Sequence, residues 1–176
     1  LNRVGDDMQN TLQEFKGIFM MIDHHQQPED FAKYLFSDTS ICSTCQMVYH
    51  YLEKLNDVEV IDEDIATCIY TGIMTDTGSF RFPSTTSETH RIVADLIDKG
   101  AENDRIHSNV YDSNSKNRLL LLGQALQNLK VLEQYKTAFI TLTDEEKNRF
   151  EFQKGDSEGV VNYALSIKGI VFAAIF

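Results

Sequence analysis

No stretch of this sequence approaches the roughly 18 consecutive apolar residues that a membrane-spanning helix requires, and no charged-then-apolar leader with a small-residue cleavage site opens it. Neither a membrane role nor secretion is indicated, and the expectation is a soluble cytoplasmic protein. Basic residues are scarce: 16 Lys and Arg stand against 27 Asp and Glu, a formal net charge of -11. A protein that holds long duplex nucleic acid by bulk charge needs a basic face to release counterions, so that class is disfavoured. An anionic substrate would have to be received by metal ions or by a local basic pocket. Cysteine is sparse and odd in number, with Cys42, Cys45 and Cys68, which suits a reducing compartment better than a disulfide scaffold. The spacing Cys42-Ser43-Thr44-Cys45 allows a redox pair or half a zinc site. A zinc site wants a second pair and only Cys68 remains, so the cysteines are expected to serve as buried small hydrophobes. Internal repeats and low-complexity tracts are absent.

What is present is organised around Met20-Met21-Ile22-Asp23-His24-His25, where an apolar run from Phe19 to Ile22 leads straight into an acid and two imidazoles. An apolar run without alternation predicts a central strand of a parallel sheet covered on both faces, and ligands collect outside the carboxyl ends of such strands. The fold class expected is therefore α/β. The plain alternative for Asp23, His24 and His25 is a polar turn in which the acid caps the next element.

Along the chain, residues 1–13 read as polar and weakly helical, with Asp6 and Asp7 as a solvated first turn. Residues 26–40 have loop composition, with Pro28 and several acids. Ser43 and Gln46 stand at capping-box spacing before a helix over 44–55, and His50 falls off its apolar stripe as a solvated side chain. A second helix opens with Asp62, Glu63 and Asp64 and turns Ile65, Cys68, Ile69, Gly72 and Ile73 inward. Asp76 would lie on that same inward face, and a buried carboxylate requires a cation, a metal or a dense set of donors. In the other reading the helix ends at Met74 and Asp76 caps a turn. Phe80 to Phe82 alternate like a short strand; Thr85 and Glu88 predict a capping box for a helix closed by Gly100. His90 and His107 receive no role and are expected at the surface. Leu119, Leu122, Leu126, Leu129 and Leu132 form the stripe of a long helix, followed by a strand over 137–142, a helix over 144–150, a turn at Gly155-Asp156, a helix over 158–167 and a last strand. This order predicts two domains, with residues 1–112 in the first, 113–133 as a linking helix and 134–176 in a second, smaller α/β unit.

Asp23, His24, His25 and Asp76 thus form a strand-end cluster and a helix-end acid separated by one α/β excursion, a mixture of imidazole and carboxylate suited to Mn²⁺, Fe²⁺, Zn²⁺ or Mg²⁺. Ile22-Asp23-His24-His25 followed by Gly72-Ile73-Met74-Thr75-Asp76-Thr77-Gly78-Ser79-Phe80-Arg81-Phe82-Pro83 resembles the paired motifs of the DHH phosphoesterases. Asp156-Ser157-Glu158-Gly159-Val160-Val161-Asn162-Tyr163-Ala164-Leu165-Ser166-Ile167 resembles the opening of the DHH-associated C-terminal domain of the oligoribonuclease and pAp-phosphatase branch, related to exopolyphosphatases.

The resemblance implies a parallel-sheet DHH domain joined by a long helix to the start of a second domain. It implies hydrolysis of phosphoester bonds in short oligoribonucleotides or pAp-like nucleotides by water activated at two Mn²⁺ or Mg²⁺ ions. By position it makes His24 and Asp76 metal ligands, Asp23 the residue that orients His24, and His25 the proton donor facing the substrate phosphate. The family's upstream His and Asp motifs and its downstream Gly-rich motif are not in the sequence, which begins at Leu1 and stops in the apolar run 171–176. An internal piece of such an enzyme is expected, inactive by itself. The other reading is a catalytically incomplete nucleotide-binding or regulatory module of the same fold, and a homodimer is possible in either case.

Overall fold

A computed structural model describes residues 6–176. Residues 1–5, which hold the Leu-Asn-Arg-Val-Gly segment, and the side chains of Asp6 and Asp7 lie outside the described parts. The chain divides into two compact units, Leu1–Asn109 and Val110–Phe176.

In the first unit, helix α1 (Asp6–Glu14) precedes strand β1 (Met20–Asp23), which pairs in parallel with β2 (Tyr34–Ser37) in the register Met20↔Tyr34 to Asp23↔Ser37. Both strands therefore deliver their carboxyl ends to one edge. Two expectations are corrected here. Residues 26–40 contain a strand, hidden by the loop-like composition around it, and β1 is half-exposed rather than covered on both faces, with Met20 44% accessible. Helices α2 (Thr44–Lys54), α3 (Glu63–Asp76), α4 (Ser87–Asp98) and α5 (Asn103–Tyr111) come next.

Each start has a local cause. The Ser43 hydroxyl accepts from Gln46 N and the Asp62 carboxylate from Ile65 N, each satisfying an orphan donor of a first turn. For α4 the cap is Thr86, paired with Thr89 in a capping box, one residue later than the spacing of Thr85 and Glu88 suggested. In α3 the hydroxyls of Thr71 and Thr75 return to the carbonyls of Thr67 and Thr71 at 2.7 and 3.0 Å, so a threonine-rich helix leaves these side chains satisfied. Met47, Ile73, Met74 and Leu96 are fully buried at the centre of the unit, each contributing on the order of 1.5–3 kcal/mol by leaving water. The buried face of α3 runs through Ala66, Ile69, Tyr70, Ile73 and Met74. It is rotated from the expected stripe, leaving Cys68 exposed and Ile65 at the rim.

The second unit has helix α6 (Lys116–Gln127), strands β3 (Lys130–Leu132) and β4 (Thr137–Ile140), helices α7 (Asp144–Arg149) and α8 (Val160–Leu165), and strand β5 (Phe172–Ile175). Its sheet has the order β3-β4-β5, antiparallel then parallel. Leu121, Ala125, Ala138, Ile140, Leu142, Val160 and Ala164 form its core. The leucine stripe is only partly the buried one: Leu119, Leu126 and Leu132 are exposed, while Leu121 and Ala125 face inward. The helix stops at Gln127 and the chain continues as β3, so Leu129 and Leu132 lie past its end. Fully apolar runs carry no face information, and Leu119-Leu120-Leu121-Leu122 is such a run.

Candidate active site

At the carboxyl end of β1 the three polar residues make different contacts. The strand ends at Asp23, and in the bend that follows His25 turns back onto the Asp23 carboxylate while its ring packs edge-on to that of His24, with centroids 4.6 Å apart. Asp23 Oδ1 accepts from His25 Nδ1 at 2.6 Å and from His25 N at 3.2 Å. The hydrogen bond from His25 holds the Asp23 carboxyl below its ordinary value. His25 is largely accessible, its side chain 66% exposed.

His24 is oriented by a different group. Its Nδ1 lies 3.3 Å from the carbonyl oxygen of Ile41, in the loop after β2. A carbonyl only accepts, so Nδ1 carries the hydrogen and Nε2 presents its lone pair in the neutral ring. That nitrogen faces Asp76 Oδ2 at 3.6 Å. The resemblance made Asp23 the residue that orients His24; the observed partner of Asp23 is His25, two residues on in the bend after the strand. Nothing in the sequence marks Ile41 for this part, because a backbone carbonyl has no signal in residue identity.

Asp76 is the last residue of α3, and its side chain is 45% exposed rather than turned into the core. The buried acid expected from the stripe is replaced by an acid at the helix end, open to solvent on one side and to His24 on the other. Beside it, Thr77 is fully buried and donates to the Ile73 carbonyl at 2.7 Å. Asp38 stands at the end of β2, where Ser40 donates to it through its amide and hydroxyl and lowers its carboxyl from the ordinary range.

The loop that orients His24 is anchored from below. Gln46, 3% accessible, accepts from Cys42 Sγ at 2.9 Å and from Thr89 Oγ1 at 2.9 Å through one oxygen. Its amide nitrogen lies 3.2 Å from His50 Nε2, so His50 is a packed member of this network and not the solvated side chain expected. Cys42 is thus a buried donor to Gln46, with its thiol pushed up by burial, and Cys45, also raised by burial, packs against Gly72 of α3. Cys45 and Cys68 line an open apolar cleft between α2 and α3. All three are free thiols.

Imidazole and carboxylate fit a divalent ion in part. Two donors each about 2.1 Å from one ion lie about 3.0–3.4 Å apart, close to the observed His24–Asp76 separation of 3.6 Å. Among the described residues, no group of three or more His, Cys, Asp or Glu side chains could hold an ion.

The chain is similar to known proteins in sequence and in fold. Residues 4–73 match the model of the DHH family, N-terminal domain, a span that includes Asp23, His24 and His25 and ends just before Asp76. Over 115 residues the chain is 33% identical to the bifunctional oligoribonuclease and PAP phosphatase NrnA of Bacillus subtilis, covering 65% of this chain and 36% of that protein. Over 87 residues it is 41% identical to the same-named protein of Thermus thermophilus, covering 49% of this chain and 26% of that protein. The crystal structure of an exopolyphosphatase-related protein from Bacteroides fragilis superposes with a TM-score of 0.88 at 41% identity, over 96% of this chain and 51% of that one. The likeness to the DHH family and the α/β class read from the motifs are therefore shown. The chain spans about half of that solved protein and about a third or less of those two curated relatives.

Proposed function

We propose that this chain works within a metal-dependent phosphoesterase that hydrolyses short oligoribonucleotides or pAp-like nucleotides. The observation that carries the reading is the His24 ring, held through Nδ1 by the Ile41 carbonyl so that Nε2 faces the Asp76 carboxylate at 3.6 Å. A ligating histidine characteristically has its second nitrogen tied to a carbonyl or carboxylate in this way. The names of the Bacillus and Thermus relatives support the substrate class.

In this reading His24 and Asp76 hold Mn²⁺ or Mg²⁺, and the ion supplies positive charge against the charge developing on phosphoryl oxygens. His25, oriented by Asp23 and exposed, donates a proton to the leaving oxygen. Donation requires the imidazolium form: Asp23 holds Nδ1–H, the Nε2–H proton passes to the leaving oxygen, and the ring is left neutral with its hydrogen on Nδ1. The net charge of -11 favours small substrates held at the site over long strands held by a basic face.

The test compares turnover of a di-ribonucleotide, pAp and a long single strand by the whole protein with Mn²⁺. Faster turnover of the two small substrates is expected, whereas preference for the long strand overturns the substrate assignment. Nucleotide binding without turnover of any of the three would instead identify a non-catalytic module.

A further inference from the structure

Immediately after Asp76 and its cap Thr77, the backbone takes three consecutive left-handed residues, Gly78, Ser79 and Phe80, with φ of 57°, 60° and 64°. Glycine adopts this conformation freely; serine and phenylalanine do so only when their surroundings hold them there, and such outliers cluster at functional sites. Some of the restraint is local. Ser79 N donates to the Met74 carbonyl at 2.8 Å, and Phe80 N donates to Thr77 Oγ1 at 3.0 Å. The tie to another helix comes from α5: Ser79 Oγ lies 3.1 Å from His107 Nε2.

The direction of that bond is set by the other ring nitrogen. His107 Nδ1 lies 2.7 Å from the Asn103 carbonyl, one helical turn earlier, so Nδ1 carries the hydrogen and Nε2 accepts from the Ser79 hydroxyl. The ring also sits among aromatics, 6.1 Å from Tyr70 of α3 and 6.5 Å from Phe80. Phe80 packs edge-on to Tyr70 at 5.8 Å. His107 therefore bears on both residues of the turn that would otherwise leave the left-handed region.

We propose that His107 is a positioning residue of this site: through Ser79 it pins the left-handed turn behind Asp76, and so sets how the Asp76 carboxylate is presented to His24. The inference rests on the reading of His24 and Asp76 as a metal-holding pair. It concerns presentation, since His107 touches the turn and not the carboxylate itself. A helix ending in an ordinary frayed turn would let the Asp76 side chain sample several directions. Locking the three residues behind it removes that freedom from a ligand on the last turn.

The test is Mn²⁺ titration of the whole protein by calorimetry, alongside thermal unfolding. His107→Leu, which keeps bulk and removes the acceptor, is expected to weaken Mn²⁺ binding by about tenfold, the lower end of what loss of an outer-shell partner does. His107→Gln, whose amide oxygen can take the place of Nε2, should restore binding to within about twofold of wild type. Ser79→Gly removes the hydroxyl while relaxing the backbone, so it should weaken Mn²⁺ binding without lowering the unfolding midpoint. Combined with His107→Leu it should add nothing further, because both break one contact. Equal affinities for the Leu and Gln variants, or additive losses in the double variant, overturn the role given to His107. His24→Ala and Asp76→Asn separate the two levels. If these leave Mn²⁺ binding intact, the metal-holding pair and the role of His107 both fall. If they abolish binding while His107→Leu leaves it intact, the assignment of His107 falls alone.

Discussion

The imidazole Nε2 of His24 and the carboxylate Oδ2 of Asp76 face each other at 3.6 Å, beyond hydrogen-bonding reach and near the separation of two donors around one shared ion. The strand end and the helix end that carry them are far apart in sequence. They converge because β1 and β2 deliver the loop with Ile41 to the same edge at which α3 stops.

In the proposed function that pairing gives the two neighbouring histidines different roles. His24→Ala should lower Mn²⁺ affinity at least about tenfold, while His25→Ala should leave affinity unchanged and lower turnover by about 10²–10⁴, the range of a lost general acid. Metal analysis and steady-state kinetics on the whole protein check both. Unchanged occupancy in the His24 variant would sink the ligand assignment.

Asp23 links the site to acid stability. Its folded carboxyl is held below the unfolded value of 3.8, chiefly by the hydrogen bond from His25. The stabilisation is therefore complete above that value and is lost as the pH falls below it, through the lower folded value. Asp23→Asn should flatten the acid limb of the unfolding midpoint, with little effect at neutral pH beyond the lost hydrogen bond. Melting curves recorded from pH 6 to 3 would show it. An unchanged acid limb would mean that the Asp23–His25 contact adds nothing to folding; because His25 is mostly exposed, the effect is expected to be small.

Gln46 should matter more than its distance from the site suggests. One side-chain oxygen serves Cys42 and Thr89 in a buried position, and Cys42 adjoins the Ile41 carbonyl that orients His24. Gln46→Leu leaves the Thr89 hydroxyl without this acceptor and should cost about 1–3 kcal/mol in urea unfolding. Mn²⁺ affinity should drop with it. Loss of stability with affinity fully retained would show that the loop holds His24 without this anchor.

Gly72 allows α3 to approach α2 closely. A Cβ at this position would stand 2.1 Å from Cys45 Sγ and 2.8 Å from Cys45 Cβ. Gly72→Ala should therefore destabilise by about 1–3 kcal/mol through overpacking, despite the better helix propensity of alanine. Adding Cys45→Ala should recover part of that loss, because the sulfur contact goes while the Cβ contact at 2.8 Å stays. A double variant no more stable than Gly72→Ala would place the strain elsewhere.

The sequence by itself determined where helices α2 and α3 begin and the residue types at the strand end, but not strands β2 and β3. Apolar runs punctuated by Ser43, Asp62 and Gly100 specify local conformation through caps and breakers, and these act over a few residues. Asp23, His24, His25 and Asp76 were legible for the same reason, since side-chain identity carries ligand and acid–base chemistry without reference to the fold.

Contacts across the fold decided the rest. The orienting group of His24 is a backbone carbonyl at Ile41, and every residue has one, so only the parallel pairing of β1 and β2 selects it. The exposed Cys68 and the inward Tyr70 depended on which face of α3 met α2 and α4, a matter of packing that a helix apolar on several sides leaves open. Ser79 and His107 form no recognisable motif at a separation of 28 residues. They meet because α5 returns alongside the left-handed turn behind Asp76, and that turn exists only where helix packing over-determines a conformation its own residues disfavour.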